Sequence, residues 1–278
     1  MLLLAAATRR PVFAATVDHG LRHKSAVEAA GVAALCARLD VPHAVLRATV
    51  ARGSSLQAQA RAVRYAALTE WAIGCGAPVL LTAHHADDQA ETLLMRLARG
   101  AGLSGLSGVR ASVDLTPGVR VARPLLNWRK VELQAIVDAS GHIAATDPTN
   151  HDPRHDRTAV RNLLAETPSL DAARLTASAH HLAQAEDALD WTARRLAAER
   201  ITILDEQISL EAAGLPEELA RRLLLMAIAQ LGRPEPRGPD MARALATLLE
   251  GGTCTLSGLQ LSGGPVWSLK PAPPRRGA

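Results

Sequence analysis

The sequence predicts an α/β protein whose first part is an open parallel sheet with helices on both faces. Short β-rich runs alternate with longer helical periods over residues 11–99, which is the pattern of a covered parallel sheet. Long helical patterns dominate the later part of the chain. We therefore expect an α/β domain over residues 1–155. A mainly helical domain over residues 156–278 is expected to end in a small hairpin and a disordered tail.

The composition is that of an ordinary globular protein. Of the 278 residues, 48% are hydrophobic and 21% are charged, which excludes a wholly disordered chain. No apolar run approaches the roughly 20 residues that cross a bilayer, and the N-terminal segment lacks a basic secretory signal. Three scattered cysteines form neither a disulfide framework nor a metal pair. We predict a cytoplasmic protein with no membrane association.

The first elements follow from capping signals and apolar periods. A strand is predicted over 12–17, and the capping box Ser25–Glu28 starts a helix that runs to about Leu39. A second strand is predicted over 44–49. A second capping signal at Ser54–Gln57 starts another helix, whose apolar positions recur on one face.

The middle of the chain continues the alternation. A third strand is predicted over 78–83, and a helix over about 86–99. The glycine-rich residues 99–110 predict a flexible connection, because a dinucleotide-binding fingerprint would have to follow a strand. A strand over 119–122 and a helix over about 128–139 come next, before the turn-rich residues 146–157, which predict a domain junction.

The last third predicts helices and little else. Residues 170–200, 215–231 and 241–249 have helical patterns, and residues 201–210 form a short excursion between the first two that can be extended. A small hairpin is predicted around Gly263-Gly264.

Titratable side chains gather where two of the predicted strands end. These residues are Asp18 and His19 after the first strand, and His84, His85, Asp87, Asp88 and Glu91 after the third. Ligands of open parallel sheets bind beyond the carboxyl ends of the strands, and Asp88 and Glu91 share a helix face. The cluster therefore predicts a functional site. From the residues alone it could bind a divalent metal or orient substrates by hydrogen bonds, and first-turn carboxylates also complement the helix dipole.

The order of five motifs resembles that of the tRNA(Ile)-lysidine synthetases. The motifs are VDHGLR (17–22), ARAVRY (60–65), LTAHHADDQAETLLMRLARGAGLSGL (81–106), RPLL (123–126) and DPTNHDPRHDRTAVRN (147–162). The resemblance covers residues 1–165 strongly and the rest weakly. It implies a PP-loop ATP pyrophosphatase fold, of the adenine nucleotide alpha hydrolase type.

The resemblance also implies a carbon–nitrogen ligase. Such enzymes adenylate the C2 carbonyl of the wobble cytidine in tRNA(Ile) with a CAU anticodon, using ATP, which we expect to enter with Mg²⁺. The ε-amine of free L-lysine then displaces AMP and leaves lysidine, so that AMP and pyrophosphate are the by-products. The expected partners are therefore this tRNA and free L-lysine, and a homodimer is left open.

Residue roles follow from the same resemblance. Asp88 and Glu91 are expected to position cytidine or lysine, and His84 and His85 to lie near the adenylate. Asp18 and His19 are expected near the nucleotide. The candidates for tRNA or phosphate contact are Arg61, Arg64, Arg157 and Arg161. The alternative is that Arg61 and Arg64 only solvate a helix face and that Arg157 and Arg161 only fix the domain junction. No residue is assigned as a metal ligand.

One departure from the family pattern concerns the SGGxDS loop that holds pyrophosphate in such enzymes. The loop and its strand should precede a segment like residues 2–6, and the Ser262–Gly264 triplet is no replacement because no Asp-Ser follows it. Either the start codon is placed too late, or the chain is a shortened and inactive relative. We expect an exposed hydrophobic sheet edge, weak ATP binding and no tRNA-dependent ATP–pyrophosphate exchange.

Three rival functions remain at this point. A tRNA thiolase has the same fold but generally uses paired cysteines, which the chain lacks. A metal-dependent phosphohydrolase could use the Asp and His cluster as ligands. A catalytically silent remnant would keep salt-sensitive tRNA binding without turnover, which an arginine-heavy chain of net charge +4 permits.

Overall fold

The computed structural model describes residues 1–18, 25–49, 56–142 and 156–273, and it divides the chain into the units Met1–Ala183 and Gln184–Ala278. This division lies later in the chain than the predicted junction at 155/156. The reason is that residues after the junction pack on the first unit. The buried Thr176 hydroxyl, for example, donates a hydrogen bond to the Ala86 carbonyl at 3.0 Å.

The first unit follows the predicted alternation of strands and helices. Its elements are α1 (Leu2–Ala7), β1 (Ala14–Asp18), α2 (Ser25–Arg38), β2 (His43–Arg47), α3 (Leu56–Gly74), β3 (Val79–Leu81), α4 (Ala86–Leu97), α5 (Leu103–Leu106), β4 (Ser112–Thr116), β5 (Val119–Ala122), α6 (Lys130–Ala139), α7 (Asp156–Glu166) and the first turns of α8 (Ala172–Arg200). The prediction missed α5, β4 and α7. Helix α5 and strand β4 lie in or next to the glycine-rich stretch, where polar and small residues carry no clear period. Helix α7 begins inside the residues that the sequence predicts as a turn-rich junction.

The predicted parallel strands are present, but they form two sheets. Strand β1 pairs in parallel with β2, from Ala14 opposite His43 to Asp18 opposite Arg47. Strand β3 pairs in parallel with β5, and β4 adds to β5 in the antiparallel direction. Among the described residues, β1 therefore pairs only with β2, and β3 only with β5.

An apolar cleft of about 370 Å³ lies between β1 and β3. Its walls include Phe13, Trp71, Val79 and Leu81, and the side chains of Phe13 and Leu81 are each 43% exposed. At this cleft, the free edges of β1 and β3 as described could form backbone hydrogen bonds with a further strand, and the apolar side chains could pack against it.

The second unit contains more β-structure than the sequence predicts. Besides the last turns of α8 it comprises β6 (Ile201–Leu204), β7 (Gln207–Leu210), α9 (Glu217–Gln230), α10 (Gly238–Leu249), β8 (Thr253–Leu256), β9 (Leu259–Ser262) and β10 (Trp267–Pro271). The five strands form one antiparallel sheet in the order β6-β7-β10-β9-β8. The predicted small hairpin is thus part of a sheet, because the excursion over 201–210 pairs with the C-terminal strands. The tail after residue 273 lies outside the described residues.

The core of the second unit is apolar apart from one buried ion pair, Arg222 with Glu186. Leu223, Leu224 and Ile228 of α9 are fully buried together with leucines of β9 and β10. The buried Arg222 guanidinium bonds both carboxylate oxygens of Glu186, at 3.1 and 2.6 Å. Pairing of this kind is what allows a guanidinium to be buried. No helix in the described part of the chain is both long and apolar enough to cross a membrane.

Candidate active site

A cavity of about 390 Å³ lies beyond the end of β3, with walls from α3, α4 and α7. The residues that line it are Arg61, Arg64, Tyr65, Leu68, Thr82, Ala83, His84, Asp88 and Arg157. Five predicted site residues therefore meet at one place, namely three arginines, one histidine and one aspartate. The cavity opens at the carboxyl end of a parallel strand, where ligands of such sheets bind.

Asp88 is held in place by the start of its own helix. The sequence places His85 at the N-cap of α4 and Asp88 three residues later, so the carboxylate can reach back to the cap. The His85 backbone N–H donates a hydrogen bond to Asp88 Oδ2 at 3.0 Å. The His85 ring lies 3.5 Å from the same oxygen, and it does not line the cavity. Asp88 therefore presents a fixed negative charge at the cavity wall.

His84 carries a neutral imidazole at the cavity. Burial lowers the pKa of His84 below its ordinary value of 6.5, and the nearby guanidinium groups lower it further, whereas Asp88 acts in the opposite direction. The Thr82 hydroxyl and His84 Nδ1 share a hydrogen bond at 3.0 Å. This contact fixes the ring orientation, and it leaves Nε2 as the nitrogen for other partners.

Glu91 ties α4 to α7. Its carboxylate is almost completely buried, and Arg161 Nε donates a hydrogen bond to Oε1 at 2.6 Å. Arg157 Nε lies 3.0 Å from Oε2 as an ion pair that is not aligned for a hydrogen bond. Glu91 thus positions Arg157, which also lines the cavity. The expected contact of Glu91 with cytidine or lysine stays a prediction.

Asp87 supports the same helix from its other side. Its carboxylate accepts the Lys130 backbone N–H at 2.6 Å and lies 3.3 Å from the Arg129 guanidinium. Burial by itself would raise the pKa of Asp87, but these two contacts outweigh it and lower the pKa. Asp87 therefore stays charged and joins α4 to α6.

Several predicted site residues lie away from the cavity or outside the described part of the chain. Asp18 ends β1, where its carbonyl accepts the Ala48 N–H at 2.9 Å, and it does not line the cavity. Arg161 contacts Glu91 instead of the cavity. His19 lies outside the described residues, so its expected place near the nucleotide stays a prediction.

Sequence reasoning missed two residues that line the cavity, Thr82 and Tyr65. The signal for Tyr65 was present, because it ends the ARAVRY motif four residues after Arg61, and residues four apart share a helix face. Thr82 had no such signal, since threonines are common at strand ends.

The arrangement suits an anionic substrate with a cationic group. Three guanidinium groups match phosphate oxygens, and the Asp88 carboxylate can hold an ammonium group. In the described residues, His, Cys, Asp and Glu side chains nowhere form a group of three that could hold a metal ion.

Comparison with known proteins agrees with the fold. Residues 1–167 match the family model of the PP-loop domain. The chain is 46% identical over 288 residues to the tRNA(Ile)-lysidine synthase of Novosphingobium aromaticivorans, covering 99% of this chain and 86% of that protein. It is 40% identical over 283 residues to the enzyme of the same name from Zymomonas mobilis, covering 100% of this chain and 86% of that protein. The chain belongs to the tRNA(Ile)-lysidine synthase family.

Membership of the tRNA(Ile)-lysidine synthase family confirms the predicted family, the PP-loop fold and the prediction of an ATP-using ligase. Among solved structures, the U34-tRNA thiolase NcsA from Methanococcus maripaludis, with its [4Fe-4S] cluster, superposes with a TM-score of 0.53 at 16% identity. The match covers 66% of each chain. At that identity the likeness shows a shared fold, and the thiolase alternative gains nothing from it.

Proposed function

We propose that this chain forms lysidine on tRNA(Ile) that carries a CAU anticodon. The C2 carbonyl oxygen of the wobble cytidine attacks the α-phosphorus of ATP, and pyrophosphate leaves. The ε-amine of lysine then forms a bond to C2, and the C2–oxygen bond breaks to release AMP. Adenylation turns a poor leaving group into a good one, so that a neutral amine can add.

The charges around the cavity support this proposal. Phosphate groups are present on ATP, on the tRNA and on the leaving AMP, and Arg61, Arg64 and Arg157 supply three permanent cations beside them. Among the described residues of the cavity wall, Asp88 supplies the single carboxylate, which suits the ammonium group of lysine. One cavity with both kinds of group is the observation that carries the proposal.

Proton transfer can be assigned to the same side chains. Lysine enters largely protonated at neutral pH and must lose a proton before it attacks. In the neutral tautomer whose Nδ1–H donates to the Thr82 hydroxyl, Nε2 of His84 can accept a proton, and Asp88 can hold the ammonium group until then. Mg²⁺ enters with ATP as part of that substrate. Cytoplasm, where ATP, lysine and tRNA meet, is the proposed location.

Binding of lysine tests the proposal most directly. The test measures the lysine subsite directly and does not depend on release of pyrophosphate. Labelled L-lysine is titrated by equilibrium dialysis into the chain with a tRNA(Ile) transcript. We expect Asp88→Asn to weaken lysine binding about 10- to 100-fold, because a charge-assisted hydrogen bond is lost.

Asp87→Asn is the matched control, since Asp87 is the neighbouring acid and its partners are in α6. This control should lower stability and leave lysine affinity within about twofold of the wild type. Equal lysine affinity in wild type and Asp88→Asn would contradict the proposal. Salt-sensitive tRNA binding with no lysine binding would support the silent remnant instead.

A further inference from the structure

The aromatic ring of Tyr65 forms part of the cavity wall, and no step of the proposed reaction uses it. Tyr65 is the single tyrosine of the chain and is half-buried on α3. The guanidinium carbon of Arg61 lies 4.9 Å from the centroid of its ring. A cation at this distance is attracted to the ring face and restricts its orientation. The wall therefore contains two flat groups that already contact each other in the absence of a ligand.

We propose that the Arg61–Tyr65 pair is a stacking platform for a nucleobase. The ligand class is a nucleotide whose base stacks on this pair while its phosphate faces Arg64 and Arg157. The inference deepens the proposed function, on which it rests for the identity of the cavity as a nucleotide site. The base belongs either to the target cytidine or to ATP.

Charge and shape both favour a base at this position. The positive charges of Arg61 and Arg64 would repel the ammonium group of lysine. Lysine is therefore directed to Asp88, whose charge is negative. A base is neutral and flat, and both aromatic rings and guanidinium planes stack on bases. A volume of about 390 Å³ is in the range of small-ligand pockets and is sufficient for one nucleotide.

The test compares a nucleotide with the same phosphate lacking its base. Dissociation constants are measured by calorimetry for cytidine 5′-monophosphate, adenosine 5′-monophosphate and ribose 5-phosphate. We expect the wild-type chain to bind one of the two nucleotides about 5- to 100-fold more tightly than ribose 5-phosphate, which is the range that one stacked base supplies. The preferred nucleotide shows which of the two bases uses the platform.

Variants of the platform separate stacking from other effects. Tyr65→Phe keeps the ring and should keep the preference for the nucleotide. Tyr65→Leu should reduce the preference to less than about threefold, and Arg61→Gln should reduce it partly. Arg64→Gln should weaken all three ligands by a similar factor, because it acts on the phosphate. Glu70→Gln, on the exposed side of the same helix, is the control.

A second measurement avoids dependence on any variant that fails to fold. Stacking on a ring moves the base proton resonances of the bound nucleotide upfield in NMR spectra, and it moves the ribose resonances less. Equal affinity for nucleotide and ribose 5-phosphate, or a full preference in a folded Tyr65→Leu chain, would overturn the inference. If lysine fails to bind but the base preference persists, the proposed reaction fails while the platform stands.

Discussion

Neighbouring acids on α4 have different roles because each side of the helix meets a different partner. Asp87 contacts α6, Asp88 lines the cavity and Glu91 contacts α7. Their charges are alike, so only their partners distinguish them. The helical period turns Asp87 away from Asp88, whereas Asp88 and Glu91, three residues apart, share a face and differ because the arginines of α7 pair with Glu91.

His84 makes the stability of the protein depend on pH. Its pKa in the folded chain lies below 6.5, so on acidification through 6.5 the unfolded chain takes up a proton that the folded chain does not. Stability is therefore fully present above pH 6.5 and decreases as the pH falls toward the lower folded pKa. We expect His84→Asn to remove this contribution.

Urea unfolding at about pH 7 and about pH 5 measures the effect. The loss of unfolding free energy between these two values should be smaller in His84→Asn than in the wild type. An identical loss in both proteins would show that His84 is protonated equally in the folded and unfolded chains.

At the scale of elements, α4 is joined to most of its neighbours by side-chain to backbone hydrogen bonds. The amide of Gln89 donates to the Val109 carbonyl at 2.8 Å and accepts the Val109 N–H at 2.6 Å. Arg96 donates to the Gly105 carbonyl at 2.6 Å. The glycine-rich connection is thus fixed on α4, which explains why it has a defined structure despite its composition.

Gly108 should not tolerate a side chain. It has a φ of +68°, and a Cβ there would lie 2.6 Å from Gln89 Oε1. We expect Gly108→Ala to lower the free energy of unfolding by about 2–4 kcal/mol, from backbone strain together with the loss of the Gln89 contacts.

Gly118→Ala is the matched control, because Gly118 has a φ of +87° and a Cβ added there would meet no atom within 4 Å outside the adjacent residues. It should cost only the strain, about 1–2 kcal/mol. Urea unfolding of both variants gives the comparison, and equal costs would show that the Gln89 contacts contribute nothing.

The cleft between β1 and β3 should accept an added strand. A five-residue apolar segment joined ahead of Met1 by a short glycine linker could pair with the edges of β1 and β3 that have no partner among the described strands, and it could cover Phe13 and Leu81. We expect the free energy of unfolding to rise by a few kcal/mol, from the apolar area that is buried. Binding of a hydrophobic fluorescent dye should fall at the same time.

The control for the added strand replaces alternate residues of the segment with proline, which cannot donate ladder hydrogen bonds. The proline version should leave both the unfolding free energy and the dye signal at the level of the unmodified chain. Equal stabilisation by the two versions would mean that the cleft does not bind a strand.

For the whole molecule, the net charge of +4 and the arginines of the cavity predict salt-sensitive binding of tRNA. Each phosphate contact releases counterions, so its loss reduces the slope of log affinity against log salt concentration. We expect Arg64→Gln to reduce the magnitude of this slope by about 0.7–0.9. Filter binding of a tRNA(Ile) transcript across a salt series measures it.

Arg120 provides the control for the salt series. Arg120 lies in β5 at the opposite end of the sheet from the cavity, where it pairs with Val79 at the start of β3. Its side chain forms an exposed ion pair with Asp114. Arg120→Gln should leave the slope unchanged. If Arg64→Gln and Arg120→Gln reduce the slope equally, Arg64 acts through the net charge of the protein and not through a phosphate contact.

Local sequence was sufficient for most elements of the first unit and for the five charged or titratable residues of the cavity wall. Strand β3 and helix α4 follow from short-range signals, and Asp88 reaches the cavity because it is the third residue after an N-cap. The second unit was less predictable. Its sheet joins residues 201–210 to residues after 253, and pairings so distant in sequence leave no local signal.

The sequence by itself determined the family, the fold class and five of the residues that line the cavity, because these follow from motifs and from the hydrophobic period along the chain. Tertiary structure decided which of the predicted site residues share a cavity. Only the packing of α7 against α4 directs Glu91 to two arginines and leaves Asp88 at the cavity wall. The physical reason is that a buried charge pairs with the opposite charge that lies nearest to it in space. Tertiary packing sets which residues lie near each other when they are distant in sequence.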